Sequence, residues 1–196
     1  MREFGLLSHP LLRSPYASIK ERDPALLVHL KLTARIVKGC MLVNGIGLDR
    51  RLVLAALLHD IGKVFLPQQV LKKPGPLTRE EWELVKLHPI IGAKLIWEVE
   101  ALRPLAYWVL CHHERPDGRG YLGMKGLEKE VWILQAADAA AAMLEGRPYS
   151  PPKQPAEAAA ELLKGAGSQF EPEAAALVIK VLKLLEEKPC LRSSDL

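Results

Sequence analysis

Leu52-Val53-Leu54-Ala55-Ala56-Leu57-Leu58-His59-Asp60-Ile61-Gly62-Lys63 decides the reading of this chain. The first seven residues are apolar and mostly strong helix formers, which predicts a buried helix. His59 and Asp60 then arrive abruptly on its last turn. Burying two polar side chains there is unfavourable unless a partner offsets the lost hydration, and a divalent metal held by an imidazole and an adjacent carboxylate is an efficient partner. Lys63 follows His59 by four residues, so a continuing helical path sets its ammonium on the same side, aimed at any anion the metal binds. A core histidine beside an ordinary helix-ending Asp and Gly explains the same residues, and the other histidines must decide between the two.

The 196 residues fit one domain, and 49% hydrophobic with 26% charged residues describes a globular chain rather than a disordered one. No apolar run reaches the length of a membrane span, and no signal peptide is evident, so the expected location is cytoplasmic. Cys40, Cys111 and Cys190 are scattered and without a CxxC pair, which argues against a disulfide framework and a zinc knuckle. The formal charge of +4 is spread along the chain, so no nucleic-acid polymer is expected as partner, whereas a small phosphate-bearing ligand is compatible.

Residues 1–22, with Pro10 and Pro15, predict an irregular N-terminal arm with a turn of helix, and His9 there is an ordinary surface or turn histidine. The domain proper is expected over 23–187, and 188–196 as a frayed tail. Asp23-Pro24 opens a helix to about Val43 that carries His29, and Asp49 caps the helix that delivers His59 and Asp60. Thr78 and Glu81 form a capping box for a helix to about Glu98, kinked at Pro89 beside His88. A further helix from Pro104 ends in His112-His113, followed by the glycine-rich loop Glu114-Arg115-Pro116-Asp117-Gly118-Arg119-Gly120-Tyr121. Adjacent histidines before such a loop are hard to explain by packing, and Arg115, Arg119 and Tyr121 offer anion contacts and a stacking face. Asp138 stands alone among alanines on a helix from about Lys129 to Leu144, as a buried ion partner would. Two packing helices follow, at about Ala156 to Lys164 and Pro172 to Glu187.

The order of His29, His59-Asp60, His88, His112-His113 and Asp138 resembles that of the HD phosphohydrolase superfamily. The details resemble its HD-GYP branch: His59 to Lys63, Lys72-Lys73-Pro74-Gly75-Pro76-Leu77-Thr78, His88-Pro89 with Gly92, His112 to Leu122, and Asp138 with Met143 and Arg147-Pro148-Tyr149. The resemblance implies an all-α, HD-domain helical bundle with a metal centre between its helices. It implies two divalent metal ions, iron or manganese first, with zinc, nickel or magnesium as alternatives. By position, His29, His59, Asp60 and Asp138 are the implied ligands of one ion and His88, His112 and His113 those of the second, with Asp60 bridging. The implied reaction is hydrolysis of cyclic di-GMP to the linear dinucleotide, and in some members onward to GMP, by a metal-bridging hydroxide. Lys63 would stabilise phosphoryl charge and Arg147 would contact the distal phosphate.

Several positions depart from the family's pattern. Leu122 replaces the proline of Gly-Tyr-Pro, and Ala25 stands where three-metal members carry glutamate. Ala141 replaces a second acid and Ser150 a basic residue. Members are commonly fused to receiver or sensory domains, and no such domain is expected here. These departures keep two alternatives open: an HD phosphohydrolase acting on another nucleotide or phosphate ester, and a catalytically degenerate ligand-binding or interaction module. A homodimer or a separate regulatory partner is compatible with either.

Overall fold

The apolar run before His59 folds as the short helix α3 (Arg51–Leu58), and all of its side chains from Leu54 to Leu58 are buried. The structure is a computed structural model that describes residues 9–44, 49–146 and 151–187. In chain order, the helices before and after α3 are α1 (Pro10–Arg22), α2 (Pro24–Asn44), α4 (Gln68–Leu71), α5 (Arg79–Val85), α6 (His88–Trp97), α7 (Arg103–Cys111), α8 (Lys129–Glu145), α9 (Pro155–Gly165) and α10 (Pro172–Glu187). Among the described residues there is no β-strand, only an isolated bridge between Ala166 and Phe170. The fold is all-α, as expected. No helix among these residues is long and apolar enough to cross a membrane.

The long helices α2 and α8 pack against each other and form the centre, with α3 and α10 against both and α7 against α3 and α8. Ala136, Ala137, Ala140 and Ala141 of α8 are fully buried. Side chains this small let neighbouring helix axes approach closely, and the approach carries Asp138 into the middle of the assembly. The start of α2 follows its capping signal, with Asp23 Oδ1 accepting the Leu26 amide at 3.1 Å. Asp49 likewise accepts the Arg51 amide at 2.9 Å ahead of α3.

Two expectations change. The arm expected to be irregular contains the helix α1, which buries Leu12, Pro15 and Ile19. Pro10 occupies the first helical position, where its missing N–H would be unpaired anyway, and the Leu12/Ile19 stripe two turns apart holds the helix to the body despite Pro15. The single kinked helix expected from Thr78 to Glu98 is two helices, α5 and α6. The Thr78/Glu81 capping box is present as read. Pro89 has no N–H to return to the Val85 carbonyl, and that carbonyl instead accepts Nδ1–H of His88 at 2.7 Å. The proline thus frees the acceptor that orients a histidine.

After Asp60 the chain tightens into a 3-10 turn, Ile61–Phe65, laid on α6. A Cβ at Gly62 would fall 2.1 Å from the His88 carbonyl oxygen and 2.8 Å from the Gly92 amide nitrogen, both backbone atoms that cannot swing aside. Gly62→Ala is therefore expected to destabilise the fold by about 1–3 kcal/mol, lowering the thermal midpoint by about 2–4 °C per kcal/mol. A melt equal to that of the wild type would show that the two segments can separate without loss.

Candidate metal centre

Five helices or helix ends bring the candidate ligands together. His29 comes from the interior of α2, His59 and Asp60 from the end of α3, His88 from the start of α6, His112 and His113 from the end of α7, and Asp138 from α8. Their donor atoms fall into two groups, Asp60 with His88, His112 and His113, and His29 with His59 and Asp138; within each group the atoms lie within 4.8 Å of one another. The Asp60 carboxylate faces both. Its Oδ1 lies 3.0 Å from His88 Nε2 and 3.8 Å from His112 Nε2, while Oδ2 lies 3.5 Å from His59 Nε2 and 3.9 Å from His29 Nε2. His9, outside the cluster, caps α1 by accepting the Leu11 amide.

The ring orientations follow from where the histidines sit. Helix C-termini leave carbonyls without helical partners. His59 accordingly donates Nδ1–H to Ala56 O at 2.8 Å, His112 to Val109 O at 2.6 Å, and His88 to Val85 O as above. Each bond fixes the proton on Nδ1 and leaves Nε2 as a lone pair turned inward. The C-terminal ends of α3 and α7 also direct partial negative charge at the same place, which favours a cation.

The donor set fits a metal on the structure's own terms. His88 Nε2 and His112 Nε2 stand 3.4 Å apart and His113 Nε2 3.2 Å from His88 Nε2. With Nδ1–H of His88 and His112 engaged elsewhere, these nitrogens meet lone pair to lone pair, an arrangement a shared cation satisfies. His59 Nε2 and Asp60 Oδ1 are buried without a hydrogen-bond partner among the described residues. Burial pushes His112 well below the ordinary imidazole value, reinforced by charge on neighbouring histidines, and brings His113 down to about 3. Neutral imidazole is the form that binds metal. Burial alone would raise Asp60, but the Lys63 ammonium, then His59 and His88, hold it well below the carboxylate range. Asp138 is similarly lowered by His29 and His59 against its burial. His29 moves the other way: burial opposes its charge, yet hydrogen bonds to Asp138 and Glu145 raise it to about 10. This is an anionic corner that wants a cation.

The helical path does not continue past Leu58; Lys63 lies on the 3-10 turn, pairs with Asp60 Oδ2 at 2.5 Å and remains partly exposed. The Tyr121 ring lies 4.5 Å from that of His113 and 6.1 Å from Trp82, forming one wall. Arg115 is engaged by both oxygens of Asp117, at 3.0 and 2.6 Å, so its guanidinium shapes the loop. Arg119 is exposed. Arg147, Ser150 and the tail 188–196 lie outside the described residues. Sequence reasoning missed two carboxylates. Glu114 is buried and accepts the Leu122 and Met124 amides at 2.7 and 2.6 Å, and Glu145 accepts Nδ1–H of His29 at 2.9 Å. The first lies in the loop whose arginines and tyrosine carried the functional reading, and nothing local marked the second.

Comparison with known proteins places the chain in a family. The HD domain family matches residues 16–174. A cyclic di-GMP phosphodiesterase of Thermotoga maritima is 40% identical over 134 residues, which cover 66% of this chain and 36% of that protein. The cyclic di-GMP phosphodiesterase response regulator RpfG of Xanthomonas campestris is 36% identical over 143 residues, 70% of this chain and 38% of that one. The chain thus spans under two fifths of the length of either relative. Among solved structures, the HD domain of the L. monocytogenes phosphodiesterase PgpH, in complex with cyclic-di-AMP, superposes with a TM-score of 0.64, covering 92% of this chain and 98% of that one. At 17% identity that likeness is one of fold.

The opposite shifts of His113 and His29 predict that the metal-free protein is most stable near the ordinary imidazole value of 6.5. His113, lowered to about 3, binds protons more readily unfolded than folded between those values, so stability falls as pH drops from 6.5 towards 3. His29, raised to about 10, favours the folded state fully below 6.5, and that contribution is lost as pH rises from there through 10. Denaturant unfolding across this range is expected to show both limbs, and His29→Gln to flatten the alkaline one; an unchanged alkaline limb would contradict the assignment.

Proposed function

The chain belongs to the HD domain family, in its HD-GYP-type branch, and we propose that it is a metal-dependent phosphodiesterase that hydrolyses cyclic di-GMP. The observation that carries this reading is the buried Asp60 carboxylate, one oxygen turned to each of two groups of nitrogen and oxygen donors. His29, His59 and Asp138 with Asp60 Oδ2 would hold one divalent ion. His88, His112 and His113 with Oδ1 would hold another. Mixed imidazole and carboxylate donors suit iron or manganese, with zinc, nickel and magnesium as alternatives. Such ions, when bound, supply an activated water and draw charge from phosphoryl oxygens.

The protein's own groups then bind and orient the substrate. Lys63, partly exposed beside Asp60, would turn from it to a non-bridging phosphoryl oxygen, where its charge counts most as negative charge builds. Tyr121 offers its face to a base, and Arg119 and Arg147 are the proposed contacts to the second phosphate; Arg115 acts through the loop it shares with Asp117. Adding water across one P–O3′ bond opens the ring to the linear dinucleotide, and a second addition gives GMP. A cytoplasmic setting is part of the proposal, supported by the buried, unpaired thiols of Cys40 and Cys111.

Protein reconstituted anaerobically with Fe²⁺ or Mn²⁺ is expected to convert cyclic di-GMP to the linear dinucleotide or GMP. A metal-loaded protein that leaves it intact would redirect the reading to other phosphate esters, and one inert to those as well to a binding module. Asp60→Ala is expected to abolish turnover and lose metal, because it removes a donor from both groups. Lys63→Ala is expected to keep its metal and lower kcat by roughly 10²-fold, the scale for one charge-stabilising donor. Full activity and metal content in the Asp60 variant, or wild-type kinetics in the Lys63 variant, would overturn the respective role.

A further inference from the structure

His29 is oriented differently from its partners. His59, His88 and His112 lie at helix boundaries and give Nδ1–H to a carbonyl three residues back. His29 lies inside α2, where the preceding carbonyls are used by the helix itself, so that solution is closed to it. Its Nδ1 instead meets Glu145 Oε2 at 2.9 Å, while its Nε2 meets Asp138 Oδ1 at 2.9 Å. Asp138 and Glu145 are seven residues apart on α8, two turns, and so share a face and hold the ring by both nitrogens. Ala141, between them on that face and fully buried, offers no acceptor. The second oxygen of Glu145, Oε1, is buried without a hydrogen-bond partner among the described residues.

We propose that Glu145 is a positioning residue that accepts Nδ1–H of His29 and thereby presents Nε2 as the ligand nitrogen of the His29, His59 and Asp138 group. The inference rests on the two-metal reading. It assigns to a carboxylate at the end of α8 the role that backbone carbonyls fill for the His59, His88 and His112 rings. An acceptor of this kind fixes the tautomer and raises the basicity of the opposite nitrogen. It also acts on one of the two groups only, since Glu145 touches His29 alone among the ligands, while His88 and His112 of the other group give Nδ1–H to the Val85 and Val109 carbonyls.

Titration calorimetry with Mn²⁺ on the wild type, Glu145→Ala and Glu145→Gln tests it. Glu145→Ala is expected to weaken one of two binding events by roughly 10–100-fold and spare the other. Glu145→Gln, whose amide oxygen still accepts the proton, is expected to recover most of the loss. Equal weakening of both events in the alanine variant, or no weakening of either, overturns the inference. Wild-type protein that takes up no Mn²⁺ overturns the two-metal reading and the inference with it. NMR of the Zn²⁺-loaded wild type gives a check that needs no variant: His29 is expected to coordinate through Nε2 with Nδ1 protonated, and coordination through Nδ1 overturns the proposal.

Discussion

A carboxylate with almost no exposure to water organises this molecule. Asp60 is charged, buried and shared between two groups of ligands, and a buried charge persists only where neighbours replace its hydration. Those neighbours arrive on different helices: Lys63 on the turn just after it, His59 on α3, His88 on α6, His112 on α7 and His29 on α2. Shifting any one element leaves an unpaired polar atom in an apolar interior. The packing of the bundle and the assembly of the site are therefore one requirement, and the alanines of α8 and the absent side chain of Gly62 serve both.

Helix ends supply most of the local chemistry. A helix that stops leaves carbonyls without partners, and a histidine placed just there can use one of them to fix its own ring. Three ligand histidines do this, at the ends of α3 and α7 and at the break between α5 and α6. The same ends carry the negative pole of the helix, so the backbone contributes to cation affinity twice, through orientation and through charge.

This explains what could be read in the sequence. His59-Asp60, His112-His113 and Asp138 interrupt apolar runs, and an interruption is visible without knowing the fold. The helices α2 and α3 declared themselves through the capping residues Asp23 and Asp49, and α8 through its run of helix-forming residues. What stayed hidden depends on residues far apart in the chain. Glu145 meets His29 across 116 positions, and a glutamate before a glycine at a helix end looks like any solvated side chain. The α1 helix was obscured by two prolines that read locally as breakers, while its stabilising contacts, from Leu12 and Ile19, are tertiary. The break at Lys86–Leu87 depended on a single carbonyl changing partners.

The loop after His113 shows how a departure from the family's pattern can be absorbed. Where Gly-Tyr-Pro has a proline, Leu122 here has an amide, and that amide donates to Glu114 Oε1 at 2.7 Å. Proline has no N–H and could not make this bond. Glu114 holds the Met124 amide with its other oxygen, and Gly120 passes so close that a Cβ would fall 2.5 Å from the Glu114 Cα. Charge-assisted hydrogen bonds to a buried carboxylate are among the stronger ones available to a loop. The stiffness a pyrrolidine ring would give is thus replaced by a clamp that begins one residue after the ligand histidines and ends three residues beyond Tyr121. Tyr121 keeps its place beside His113 because the backbone on its far side is anchored to the same helix end that presents the metal ligands.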